Sequence, residues 1–206
     1  MILGIDHIAL SVNDTDQAKR KLEALGFSSL FVEFNISNDV AKKHLLKEYR
    51  ANHDVGIFLS KKEGVSVEIV NHGLTVDTDA PYSYHDNYIE LETADVNSEK
   101  TFWKSIFRFQ ETAQDTLVFK SPVRRWSCTI KLRETKLLKQ YTLDSRGYTC
   151  LAFLTNNLAE DVSAAEKGGA SDILTPFSLT VNKQLLNITM LRTPGGAICE
   201  LIKIIK

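Results

Sequence analysis

The 206-residue chain is 43% hydrophobic and 25% charged, enough for one large soluble domain or two small ones. Its formal net charge of −1 gives no bulk attraction to nucleic acid or an anionic membrane, and both are excluded as partners. No run reaches the roughly 20 apolar residues of a membrane span, and the first residues enter a strand with no signal peptide, so a cytoplasmic location is expected.

The opening stretch, 4–12, alternates as a half-buried strand, with Ile8, Leu10 and Val12 on one face and His7, Ala9 and Ser11 on the other. Asn13 to Asp16 offer helix caps, Ala18, Leu22 and Leu25 recur at helical spacing, and Gly26 stops the helix. A strand over 30–34 comes next. Ser37-Asn38-Asp39 then opens a helix carrying Val40, Leu45, Leu46 and Tyr49, whose modest apolar face suits a lid over an edge or opening. Strands over 55–60 and 65–70, turned at Glu63-Gly64, complete a β-α-β-β-β unit spanning 1–74.

That grammar returns twice, which makes an internal repeat the organising principle. After a linker over 75–86, the second unit (87–134) has a strand over 87–93, an Asn97-Ser98 cap and a helix with Phe102, Trp103 and Ile106. Strands over 109–113, 116–120 and 127–133 follow, with a turn at Pro122. The basic pair Arg124-Arg125, beside Trp126, reads as a solvated loop. A second linker over 135–146, with Leu137 and Leu138 partly packed, leads to the third unit (147–206). Its strand over 149–155 is followed by an Asn156-Asn157 cap, a helix with Leu158, Val162 and Ala165, a Gly168-Gly169 stop, and strands over 173–181, 185–192 and 197–204. Cys128, Cys150 and Cys199 sit in apolar runs without CxxC spacing, so they read as buried free thiols.

The stretches His7 to Val12, Leu25-Gly26-Phe27, Val67-Glu68-Ile69-Val70 and Thr193 to Leu201 resemble the vicinal oxygen chelate superfamily. That superfamily includes glyoxalase I, bleomycin-resistance proteins, extradiol dioxygenases and fosfomycin-resistance enzymes. The resemblance implies an α+β fold of repeated βαβββ modules whose curved mixed sheets enclose a cavity. It also implies a histidine ligand from a module's first strand and a glutamate from its last. His7 and Glu68 match those positions in the first unit, and Glu200 matches in the third. Imidazole and carboxylate together suit a divalent metal (Zn, Ni, Mn or Fe), or the site holds none; Glu68 is alternatively a base for proton abstraction.

The second histidine of the family falls at Tyr88 or Cys150, and the last strand of the second unit has no acidic residue. Pairing of units one and two leaves His7 and Glu68 with Tyr88 and Glu90 nearby. Pairing of two and three leaves Glu200 with Cys150. A four-position set requires units one and three, which are not neighbours in sequence. The metal site is therefore expected to be incomplete, with Tyr88, Glu90 and Cys150 as substrate-binding candidates. His44, His53, His72 and His85 are expected at the surface. The function implied is a metal-dependent lyase/isomerase or dioxygenase acting on a small oxygenated molecule. The alternatives are a metal-free binding or resistance protein for a drug or metabolite, and a descendant whose cavity has closed. Three units leave one unpaired, so a homodimer is expected.

Overall fold

The computed structural model describes residues 1–60, 64–74, 76–85, 87–121, 127–136 and 141–205. Glu63, the Pro122 turn, the Arg124-Arg125-Trp126 cluster and Leu137-Leu138 lie outside them.

The first repeat consists of β1 (Ile2–Ser11), α1 (Thr15–Ala24), β2 (Ser28–Ser37), β3 (Asn52–Leu59) and β4 (Ser66–Asn71). Next come β5 (Val76–Asp79) and β6 (Tyr82–Tyr84), in the stretch expected to be a linker. The second repeat holds β7 (Ile89–Thr93), α2 (Val96–Ile106), β8 (Gln110–Ala113), β9 (Thr116–Lys120) and β10 (Ser127–Glu134). The third holds β11 (Ser145–Thr155), α3 (Leu158–Lys167), β12 (Phe177–Val181), β13 (Gln184–Arg192) and β14 (Ile198–Ile204). Each helix starts the same way: the side chains of Asp14, Asp95 and Asn157 accept from the backbone N–H three residues on, so α2 is capped by Asp95 and the expected cap pair Asn97-Ser98 lies inside its first turn. Gly26, at φ 91°, ends α1 as expected, but Leu25 is exposed and does not join the buried stripe of Ala18 and Leu22.

Within each repeat the first strand runs parallel to the last, and the middle strands add antiparallel, giving β2-β3-β4-β1 and β12-β13-β14-β11. These two half-sheets join along their first strands. β1 pairs antiparallel with β11, with His7 opposite Ala152, Ile8 opposite Leu151 and Ala9 opposite Cys150. The first and third repeats are thus the partners, the one of the three possible pairings that a four-position set requires. The physical reason is visible in the strands. The face that β1 and β11 turn toward the second repeat is continuously apolar, with Ile8, Leu151 and Phe153 buried there, whereas β7 carries Glu90 and Glu92 on one face.

Alternation along these strands separates two apolar clusters. Ile8, Val67, Ile69, Leu151, Phe153 and Leu201 face one side, and Ala9, Val70, Cys150, Ala152, Ile198 and Ile202 the other. The first side is covered by the second repeat, whose Phe107 ring stacks on Phe153 at 4.0 Å with Trp103 at 5.9 Å. β6 adds one antiparallel pairing to β11, Tyr82 to Tyr148, and the buried Tyr82 hydroxyl donates to the Ile198 carbonyl at 3.0 Å. The second repeat therefore buries its apolar face in its own chain. The argument that an unpaired repeat must dock on a second copy loses its basis.

The other linker-like stretch is also built in. Asp144, fully buried, accepts from the backbone N–H groups of Lys47 and Glu48, and Leu143 N–H donates to Leu45 carbonyl. The segment after Asp39 forms a short 3₁₀ turn, Val40–Leu45, capped by the Asp39 side chain, rather than a longer helix. All three cysteines are buried and free. Among the described residues no helix is long and apolar enough to cross a membrane.

One buried polar contact ties the second repeat to the third. Glu99, fully buried on α2, accepts from Trp103 Nε1–H at 2.8 Å and from the Gly195 N–H at 2.7 Å. Burial raises its carboxyl above the usual range. A Cβ at position 195 would stand 2.1 Å from Thr93 Oγ1 and 2.6 Å from Glu99 Oε2, whereas one at Gly4 meets nothing nearer than 4.0 Å. Gly195→Ala is expected to cost about 3 kcal/mol in urea unfolding, against a change within about 0.5 kcal/mol for Gly4→Ala.

Candidate metal centre

The strand register brings the candidate ligands together. One cross-strand row runs from His7 on β1 over Ala152 on β11 to Glu200 on β14; the adjacent row runs from Glu68 on β4 over Ala9 to Cys150. The two rows are related by the approximate twofold through the Ile8–Leu151 pair, which exchanges His7 with Cys150 and Glu68 with Glu200. Strands lie about 4.8 Å apart, so His7 and Glu200 start two strands apart and converge over an alanine. Ala9 and Ala152 leave that room because they carry only a methyl group.

His7 Nε2 lies 3.2 Å from Glu68 Oε2 and 3.5 Å from Glu200 Oε2, and one ligand atom from each of the three residues falls within 4.8 Å of the others. The other ring nitrogen, Nδ1, donates to Asp6 Oδ2 at 2.9 Å. Asp6 and His7 are adjacent in sequence and yet both line the cavity. A β-bulge makes this possible: Ile5 pairs with Phe153 and His7 with Ala152, two positions of advance against one. Strict alternation, as read from the sequence, places Asp6 on the opposite face and hides its role.

With Nδ1–H committed to Asp6, Nε2 faces two carboxylate oxygens and has no hydrogen bond of good geometry, although His7 is buried. A lone pair aimed at two anions calls for a positive charge between them. Burial alone would lower the His7 pKa, but Glu68, Asp6 and Glu200 outweigh it and hold the imidazole well above its usual value. A divalent cation fits the same place. Donors each about 2.0–2.2 Å from one ion, at roughly 90–110°, stand about 3 to 3.5 Å apart, which matches both His7 contacts. Two carboxylates balance the charge, and a histidine oriented by a carboxylate on its other nitrogen is the usual supporting arrangement.

Cys150 lies in the fourth position of the pair of rows and lines the cavity, but it is not in the three-residue group. Burial, and next the Glu200 charge, push its thiol up, so it is a neutral wall residue. Tyr88 and Glu90 are elsewhere. Tyr88 stacks on His85 at 4.4 Å beneath the Lys131 ammonium, and Glu90 accepts from Arg133 Nε at 2.9 Å. Neither lines the cavity, because the second repeat is not one of the paired two.

The cavity measures about 410 Å³, within the usual range for small-molecule sites. It also contains two histidines that the sequence placed at the surface. His53 and His72 are each 4% exposed and stacked with centroids 5.5 Å apart, while His44 and His85 are exposed as expected. The signal was present: Glu68, Val70 and His72 share one face at period two, and so do His53, Val55 and Ile57. Burial, and next the nearby Lys42 charge, lower His53 to about 2 and His72 to about 4.

The first and third βαβββ units join edge to edge around a cavity, with the His–Glu–Glu group on its inner face. No protein-family model matches the chain, and no curated protein does. Among solved structures, the chain is similar to methylmalonyl-CoA epimerase from Mycobacterium tuberculosis, at 12% identity and TM-score 0.49, over 100% of this chain and 91% of that one. It is also similar to glyoxalase I from Zea mays, at 13% identity and TM-score 0.39, over 98% and 69%. A glyoxalase/bleomycin resistance protein/dioxygenase family enzyme from Burkholderia phytofirmans PsJN matches at 14% identity and TM-score 0.42, over 58% and 98%.

The two histidines set an acid sensitivity whose sign follows from their depressed values. In the folded chain both stay neutral down to about pH 4, whereas unfolding restores a value near 6.5 and takes up two protons. Their contribution is intact above pH 6.5 and is lost as pH falls toward 4, with a slope approaching about 3 kcal/mol per pH unit. Urea unfolding from pH 7 to 4.5 is expected to show this loss, and the His53→Gln/His72→Gln variant a shallower one.

Proposed function

We propose that the protein is a metal-dependent enzyme of the glyoxalase type that moves a proton on a small oxygenated molecule bound in the cavity, a lyase or isomerase rather than a dioxygenase. The observation that carries this is His7 Nε2, buried, without a hydrogen bond, and faced by Glu68 and Glu200 at 3.2 and 3.5 Å.

His7, Glu68 and Glu200 would hold the ion, drawn from Zn, Ni, Mn or Fe. Bound there, it would act as a Lewis acid toward a carbonyl or hydroxyl oxygen of the ligand. Asp6 keeps the His7 ring in the tautomer that points Nε2 at the carboxylates. Glu68 is the proton acceptor of the set. Its side chain retains 17% exposure against 7% for Glu200 and 4% for His7, so it is the carboxylate that a molecule in the cavity meets. Its Oε2 faces His7, which leaves Oε1 to take a proton from a carbon next to the polarised oxygen. Apolar walls from both paired repeats, Val55, Leu186 and Ile202 among them, keep bulk water from that transfer. The cavity is complete within one chain, so this chemistry needs no second copy.

The metal-free binding protein remains the second reading, favoured by the protonated Cys150 thiol at the fourth position. Elemental analysis separates the two. Protein purified without chelator and incubated with each of the four ions is expected to retain about one ion per chain, lost in His7→Ala. No retained metal, together with thermal stabilisation by small ligands, would establish the binding protein instead. Asp6→Asn, which leaves the three ligands in place, is expected to lower metal affinity about 10- to 100-fold, as read by competition with a chromophoric chelator.

A further inference from the structure

The cavity has a second polar group that the metal reading does not use. Lys42, on the 3₁₀ turn, is 6% exposed and lines the cavity, with its ammonium 5.5 Å from the centre of the Phe177 ring. Among the described residues no carboxylate forms an ion pair with it. The buried carboxylate of Asp144 is occupied by the backbone N–H groups of Lys47 and Glu48. His53 and His72 stand beside Lys42 on the cavity wall. The β3–β4 register, continued one step beyond Asp54 opposite Asn71, sets the two rings opposite each other. Each has a buried Nδ1 without a partner. Glu68 and His72 are on one strand face, four residues or about 13 Å apart. The cavity is thus acidic at one end and cationic, with spare hydrogen-bonding atoms, at the other. A buried ammonium without an anion is costly, and neutral imidazoles beside it supply donors rather than a competing charge.

We propose that Lys42, His53 and His72 form an anion subsite, and that the ligand is a small organic acid whose carboxylate sits there while an oxygen function on the same skeleton faces His7, Glu68 and Glu200. The second half rests on the metal reading; the first does not.

Calorimetric titration with glutarate, 2-oxoglutarate and dimethyl glutarate tests both halves, on metal-loaded and on chelator-treated protein. The two acids are expected to bind and the diester not to. Lys42→Met and Lys42→Gln should each weaken acid binding about 10-fold or more, as loss of a charge-assisted contact does, with or without metal. The Tm of the unliganded Lys42→Met protein should be no lower than that of the parent, since the methionine keeps the contact with the Phe177 ring and no ion pair is lost. Either substitution suffices if the other fails to fold. The subsite is overturned if acids and diester bind alike, if neither acid binds, if acid binding survives both substitutions, or if inorganic phosphate binds in place of the acids. If acids bind through Lys42 but 2-oxoglutarate gains nothing over glutarate when metal is present, the subsite stands and the metal reading fails.

Discussion

The antiparallel seam between β1 and β11 is the constraint on which the rest of the molecule depends. It joins two half-sheets that would otherwise end in open edges, and it fixes which side chains reach the inner face. Because side chains alternate at period two, a one-residue slip of that seam would turn His7 and Cys150 toward the second repeat and Ile8 and Leu151 into the cavity. The slip is disfavoured by large apolar residues on one side: Ile8, Leu151 and Phe153 are fully buried against the second repeat and have no other place to go. The register that assembles the candidate ligands is thus held by the hydrophobic packing behind it.

This gives the second repeat a physical role different from that of the other two. It shares their grammar, and none of its described residues lines the cavity. It supplies Trp103, Phe107 and Phe109, which fill the space behind β11, and Glu99, which receives the N–H of Gly195 in the turn leading into β14. That turn positions the strand carrying Glu200. The repeat therefore acts on the inner face through packing and one buried polar contact.

Much of this was legible in the sequence. A cap among Asn13 to Asp16, another at Asn156-Asn157, the glycine stop at Gly26 and the gathering of His7, Glu68 and Glu200 follow from capping chemistry, periodicity and the family resemblance, whereas the α2 cap, Asp95, lies ahead of the Asn97-Ser98 pair that the sequence suggests. The choice of partner units did not follow, because pairing depends on which strands tolerate cover on both faces. The clue there is that Glu90 and Glu92 mark β7 as half-solvated, and their ion pairs with Arg133 confirm it. Asp6 was hidden by a bulge, which no alternation pattern announces. His53 and His72 were hidden by a strand that runs farther than its apolar core, so that polar residues at its ends stay on the buried face.

The cost of the inner face decides between an open and a closed cavity. His7, Lys42, His53, His72 and Glu200 are all buried, and several lack full hydrogen bonding. Each such group opposes folding, since its desolvation is not fully offset by a partner. A chain whose only need was a stable double sheet would do better with the Val, Ile and Leu that fill the opposite side of the same strands. Here the apolar cluster behind the sheet is extensive enough to offset polar groups that favour neither sheet formation nor packing. Such groups line one cavity and are split into an anionic and a cationic end, which is the arrangement that the proposed acid ligand would meet.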